Sequence, residues 1–393
     1  MSRRPQLYHW QRQLASRLPH LPKVIVALLA LWSLGLLLAR RCGLDGVAGQ
    51  LARLRRQSPN TTRQRLREFY QEAAAKRGGR RRDFDVTTCF AALLRWVLSY
   101  WSCRRLALAL DVTNLGDRFH VLCASVLYGG IGIPVAWRIL PANQPDPWHP
   151  HWCDLLARLA PAVPPGFVVV VLTDRGLESA RLFAAIAAVG WHPLMRVKAA
   201  GQFRPAGWVR WHAFGRLVPR PGARFAAAGQ AYRTAAPPLA CTLLGCWQEG
   251  HAEPWLLLTD LAPAAASPCW YAFRAWVEQG FKVIKGGLLH WQRTRMSDPG
   301  RAERLWLAIA VTILWLVVIG AVVEGDRRRE TVGELGAAAA PPRRQRLLEV
   351  GLAEWLAAQL SGRPLPRGPL PPDPWPDVWH EVPTLTEQEF CPG

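Results

Sequence analysis

The sequence predicts an α/β protein: a mixed sheet laid down in the order β-β-β-α-β-α-β, entered from a helical N-terminal region and carrying a strand-rich insertion. Three observations lead there. Residues 106–140 contain three strand-like runs, LALALD, FHVLCASVLYGG and IPVAWRIL, joined by the turn signals NLGD and GGIG, which makes consecutive hairpins. Next come HPHWCDLLARLAP with helical periodicity, FVVVVLTD as a fully apolar buried strand, SARLFAAIAAVG as a helix and HPLMRVK as a strand, a pattern of parallel crossovers. The first hundred residues, by contrast, read as helical throughout. Ligands of such α/β layers bind at the carboxyl ends of the strands.

In chain order, the N-terminal region (1–100) is distinguished by charge. The chain has 393 residues with 49 Lys+Arg against 28 Asp+Glu, a formal charge of +21, and all but five of those cations are arginine. Thirteen basic and three acidic residues fall between Arg40 and Arg82, a local net of +10. Ser58 or Thr61 is placed to cap a helix there, and Arg63, Arg67, Lys76 and Arg77 follow helical spacing into a basic face. Such a face is either a solvated surface or a polyanion contact, and arginine is the better bidentate phosphate ligand. A GC-rich codon bias also produces arginine. With half of the residues hydrophobic and 20% charged, the composition excludes a disordered chain. Nine scattered cysteines without a CxxC motif support neither a disulfide framework nor a structural zinc site, which suits a reducing cytoplasm.

Two apolar runs raise a membrane alternative. Val24 to Ala39 is shorter than the roughly 20 residues a bilayer needs, and it is followed by Arg40 and Arg41 rather than by a small-residue cleavage site. Leu305 to Val323 is long enough to span, but the amphipathic RAERLW before it equally begins a buried core helix. Beyond the first core segment (101–200), residues 201–268 hold the Trp-rich runs WVRWHAF, ACTLLGCW and PWLLLTD, read as a strand-rich insertion; helical periodicity returns at Pro268 and continues through 269–324. The remainder (325–393) has one basic helical stretch and, after Ser361, a Pro-rich extended tail.

Three carboxylates carry the chemistry. Asp111 and Asp174 each terminate an apolar strand, and if those strands are neighbours their side chains meet. Bare carboxylates a few Å apart repel unless cations fill the space, and oxygen-only ligands suit Mg²⁺ or Mn²⁺. Strand-end aspartates also serve as caps. In YAFRAWVEQGFKVIKGG, Tyr271, Arg274, Glu278 and Lys285 are spaced by three, four and seven and share one helical stripe. A bare Arg274/Glu278 pair would read as an ordinary charged face.

With DVTNLGDR at Asp111, LTDRGLES at Asp174 and the full Y-(2)-R-(3)-E-(6)-K spacing, residues 100–324 resemble the DDE transposases of the insertion-sequence-four type. The resemblance implies an RNase H-like core and two Mg²⁺ (or Mn²⁺) ions held by Asp111, Asp174 and Glu278. It implies that Tyr271, Arg274 and Lys285 contact DNA near the scissile phosphate, that residues 1–100 form a helical DNA-binding region to which the run Val24 to Ala39 belongs, and that Leu305 to Val323 is a helix packed against the sheet in a protein without a membrane span. The partners it implies are double-stranded DNA, both transposon ends and target, and a second copy of the chain in a homodimeric synapse. The setting it implies is the cytoplasm of a bacterium, on the nucleoid when DNA is bound. Some members of the family pass through a hairpin intermediate with a flipped base stacked on Trp; Trp208, Trp211 and Trp255 are the residues placed for that, or for packing.

Readings from other classes are a nuclease or resolvase sharing the acidic triad without element-end specificity, a DNA-binding inactive copy, and a polytopic membrane protein. Asp117 reads as a turn cap, His149 and His151 as a surface loop and cap, and Arg175 as either a screen for Asp174 or a DNA contact.

Overall fold

The computed structural model describes residues 4–76, 83–144, 147–335, 347–377 and 387–390. The N-terminal region folds into α1 (Arg4–Arg17), α2 (Lys23–Ala39), α3 (Leu44–Arg55), α4 (Pro59–Tyr70) and α5 (Phe90–Leu98). The α2 run is apolar on nearly every side because it is enclosed on nearly every side: Leu29, Ala30, Trp32 and Leu36 have no exposed surface. Its polar atoms are matched internally, with Trp10 Nε1 donating to Ser33 Oγ at 2.7 Å and Trp32 Nε1 to the Leu66 carbonyl at 2.9 Å. Ser58 occupies the N-cap position of α4 in extended conformation, but its side chain makes no capping bond, and Pro59 supplies the first turn. The helix stops at Tyr70 and a 3₁₀ turn, Ala73–Ala75, follows, so Lys76 is out of register with Arg63 and Arg67. Arg77, the last residue of the expected basic face, lies outside the described residues, as do residues 80–82.

The predicted β-β-β-α-β-α-β order is present as β1 (Arg105–Leu115), β2 (Phe119–Tyr128), β3 (Ile131–Pro141), α6 (His149–Leu159), β4 (Val168–Thr173), α7 (Ala180–Ala188) and β5 (His192–Arg196). β6 (Gln202–Pro205), β7 (His212–Ala213), β8 (Arg224–Ala231), β9 (Leu239–Cys246) and β10 (Trp255–Thr259) follow. Among the described residues these form one sheet in the order β3-β2-β1-β4-β5-β10-β9-β8-β6-β7. β1, β4 and β5 are parallel, and the 202–259 strands continue the sheet through the antiparallel pairing of β10 with β5. Of WVRWHAF only His212–Ala213 is strand.

Asp111 is not the end of its strand. The parallel ladder of β1 with β4 stops at Leu110↔Thr173, whereas the antiparallel ladder with β2 continues from Asp111↔Cys123 to Leu115↔Phe119. β1 therefore outruns β4, and the residues immediately after the last parallel pair are Asp111 and Asp174.

After β10 the chain forms a 3₁₀ stretch (Pro268–Arg274), α8 (Ala275–Lys282) and a π-helical turn (Val283–Gly287), then α9 (Pro299–Leu335) and α10 (Leu347–Ser361). α8 sits close on β3: a Cβ at Gly280 would lie 2.7 Å from the Gly132 carbonyl oxygen, and one at Gly132 would lie 3.0 Å from Val277 Cα. α9 contains the longer apolar run. It is the one described helix long and apolar enough to cross a membrane, and from Trp306 to Leu314 no residue is more than 1% exposed. It is fixed to β3 by Glu303, whose carboxylate accepts the Ile139 N–H at 2.8 Å and pairs with Arg138 while its carbonyl accepts from Trp137 Nε1. Ile139 belongs to the sheet's outermost strand, so Glu303 takes an edge donor that would otherwise lack a partner. α10 crosses α9 where Gly320 and Gly351 meet, backbone against backbone. The Pro-rich segment after Ser361 is extended as expected, and it is docked: the Leu370 N–H donates to the Tyr100 carbonyl, Tyr128 Oη to the Pro371 carbonyl and Trp270 Nε1 to the Pro376 carbonyl.

Candidate active site

Both aspartates are oriented by the same local device. Asp111 Oδ1 accepts the Val112 N–H at 2.9 Å and Asp174 Oδ1 accepts the Arg175 N–H at 2.7 Å, which turns each Oδ2 outward to a common place. That place holds the Arg274 guanidinium. Its Nη2 is 3.1 Å from Asp111 Oδ2 and 3.4 Å from Asp174 Oδ2, and its Nη1 is 2.8 Å from Glu278 Oε1. Three carboxylates from β1, the end of β4 and the first turn of α8 thus face one cation.

Electrostatics differ around this hub. Asp111 is the buried member, and burial pushes its carboxyl up to about 6 although Arg274 pulls the other way. Burial would lower the Arg274 pKa, but Asp111 and the other surrounding anions outweigh it and the pKa is raised. Glu278 is half exposed. Three negative charges against one positive leave the site short of cations, and every donor is an oxygen, the chemistry of Mg²⁺ or Mn²⁺ rather than of a thiolate or imidazole metal. Among the described residues no three His, Cys, Asp or Glu side chains converge closely enough to chelate one ion; the Arg274 guanidinium is the group on which these three carboxylates meet.

The predicted stripe is brought together only in part. The backbone changes pitch along it, 3₁₀ up to Arg274, α to Lys282 and π from Val283, so the four residues do not share one face. The resemblance gives Tyr271 to DNA, but here the residue is 5% exposed. Its hydroxyl donates to the Thr173 carbonyl at 3.3 Å and its ring meets Trp255 edge-on. Burial raises the Tyr271 pKa, so the hydroxyl stays protonated and holds the end of β4 next to Asp174. Lys285 Nζ reaches the Asn114 carbonyl at 3.4 Å, on the part of β1 that extends beyond Asp111.

Arg175 turns its guanidinium to Glu253, which Arg196 also approaches, so only its backbone N–H serves Asp174. Asp117 lies exposed in the β1–β2 turn. His149 is not in a loop; it begins α6, with Cys153 Sγ 3.3 Å from its Nδ1 one turn later. Trp208 packs on His212 and Phe390, and Trp211 lies under Arg204, 5.1 Å from the ring centre. Arg118 was not singled out by the sequence. It donates to the carbonyls of Gln292, Thr294 and Met296, tying the segment that follows α8 to the β1–β2 turn. Its only sequence signal is its place beside NLGD.

The family profile described as a transposase DDE domain matches residues 118–315, a range that begins beyond Asp111 and takes in Asp174, Glu278 and Lys285. None of the curated proteins matches the chain. Among solved structures, a cryo-EM piggyBac transposase synaptic complex with hairpin DNA is similar with a TM-score of 0.43 at 12% identity, covering 86% of this chain and 72% of that one.

Proposed function

This chain belongs to the transposase DDE-domain family, and from that premise we propose that it cuts DNA at the ends of a mobile element and joins the freed 3′ ends to target DNA. The observation that carries the proposal is the convergence of Asp111, Asp174 and Glu278 on one cationic centre at the ends of parallel strands. The finer reading is an insertion-sequence-four type enzyme with an RNase H-like core, supported by the strand order β3-β2-β1-β4-β5 and by the Tyr271, Arg274, Glu278, Lys285 spacing.

The three carboxylates would hold two Mg²⁺ or Mn²⁺ ions, and their donor chemistry and uncompensated charge fit that role. Such a pair supplies, when bound, activation of the attacking water or 3′-hydroxyl and stabilisation of the leaving oxygen. The protein's own contribution is position. Backbone N–H groups fix both aspartates, the Tyr271 hydroxyl fixes the end of β4, and β3 fixes α8 and with it Glu278. Arg274 and Lys285 put positive charge on either side of Glu278, where the scissile phosphate and its neighbours would lie. Residues 1–100 are the helical DNA-binding region, 101–200 and 269–324 the two parts of the core, 201–268 the insertion and 325–393 the C-terminal segment. The working form is a homodimer on paired ends, in the cytoplasm.

Asp111→Ala, Asp174→Ala and Glu278→Ala are each expected to abolish Mg²⁺-dependent nicking of an element-end duplex while leaving its binding intact. Retained nicking in any one of the three sinks the triad. Nicking without joining, in an assay with paired inverted repeats, would instead mark a nuclease.

A further inference from the structure

We infer that the cleft between the N-terminal helices and the segment following α8 seats the phosphate backbone of a DNA strand beyond the catalytic triad, an inference that rests on the transposase reading above. The cleft has a volume of about 790 Å³. One wall is the α2–α3 connection with Arg41 and, from α4, Arg67; the other is the 290–298 segment with Arg293 and Arg295. Among the described residues no carboxylate pairs with any of these four arginines. The acids of the cleft are engaged elsewhere: Asp45 with Arg63, and Asp298, whose Oδ1 accepts the Arg301 N–H, in capping α9. Arg301 is itself held by Glu72 through both oxygens. Four arginines without a carboxylate partner therefore line one open cleft, a concentration of positive charge that a polyanion would neutralise.

Arg118 clamps the 292–296 backbone to the end of the β1–β2 hairpin, and Lys285 touches Asn114, three residues and roughly 10 Å along β1 from Asp111. The segment that forms one wall of the cleft is thus tied, through Arg118, to the hairpin whose first strand carries Asp111. Arginines on two walls of an open cleft, three of the four exposed, suit a strand running through rather than one enclosed anion.

The test is fluorescence anisotropy of the full chain on a mixed-sequence DNA duplex in EDTA, titrated across NaCl concentrations. Each phosphate contact contributes about 0.9 to the slope of log K against log salt, so the double variant Arg293→Ala/Arg295→Ala should lower that slope by about 1.8. Arg293→Lys/Arg295→Lys should keep the slope, and Arg41→Gln/Arg67→Gln should lower it from the opposite wall, which covers the case in which one pair fails to fold. Wild-type slopes in both neutralised pairs would overturn the inference. So would a calorimetric one-site affinity for inorganic phosphate or a mononucleotide that these variants lose while the duplex slope stands. Failure of the wild type to bind duplex at all would strike the transposase reading itself.

Discussion

At the scale of single residues, Arg274 and Asp111 define the state of the triad before any ion enters. One guanidinium contacts all three carboxylates without neutralising them, and Asp111 is buried deeply enough that its ionisation is disfavoured. Its carboxyl titrates near 6 in the folded chain against 3.8 ordinarily, so between those values the folded protein binds a proton that the unfolded chain has released. Stability from this group is full below the unfolded value and is lost as pH rises through about 6, a total on the order of 3 kcal/mol. Asp111→Asn is therefore expected to raise the melting temperature of the metal-free protein at pH 8, with the gap to wild type closing below pH 4. Equal or lower melting of the variant at pH 8 in differential scanning calorimetry would refute the burial argument. The aspartates were legible as neighbours because each ends a β-type apolar run in a parallel pair. The guanidinium at their centre was not, since Arg274 and Glu278 at i, i+4 read the same on a solvated helix face as in a buried hub.

At the scale of elements, the placement of Glu278 depends on how α8 meets β3. Gly280 and Gly132 bring the two backbones together, and two residues before Gly280 lies Glu278. Gly280→Ala puts a methyl group 2.7 Å from the Gly132 carbonyl oxygen, a backbone atom that cannot rotate away. The expected cost is about 1–3 kcal/mol of stability, with a displaced α8. Thermal melting should show the first effect and Mg²⁺-dependent nicking, reduced beyond what the stability loss explains, the second; a variant with wild-type melting and nicking would show that this contact positions nothing. Hydrophobic period made β1 to β5, α6 and α7 legible. It carries no information on the hydrogen-bond register of a helix, which is why the 3₁₀ and π turns flanking α8 were missed and four residues were assigned to one stripe. Nor does it say how far a strand runs once its partner on one side has ended, so in the sequence Asp111 reads as the end of β1 although the strand continues to Leu115. The docked C-terminal segment was hidden for a related reason: its contacts are backbone carbonyls offered to Tyr128 and Trp270, and Pro-rich composition does not reveal where carbonyls find donors.

At the scale of the whole molecule, charge and hydropathy point in different directions, and the fold separates them. Uncompensated arginines line the outer cleft, while the most apolar helix is placed at the centre. On sequence alone α9 was equally a membrane span, because length and composition do not record what surrounds a helix. In the structure its surroundings are other parts of this chain. Glu303 fastens it to β3, Trp306 meets Trp137 and Trp291, Trp315 stacks on Trp10 with ring centres 3.5 Å apart, and Gly320 takes the crossing of α10. These contacts come from N-terminal, central and C-terminal segments, so exposing α9 to lipid would dismantle the core of all three. Burial of this kind removes the apolar surface a bilayer would otherwise take up. The full chain is therefore expected to remain in the supernatant after ultracentrifugation of a detergent-free lysate at high salt, where arginine-mediated binding to nucleic acid is screened. Recovery from the membrane pellet only with detergent, under that salt, would mean that α9 is not a core helix and that the packing described around Trp10, Trp137 and Glu303 does not form.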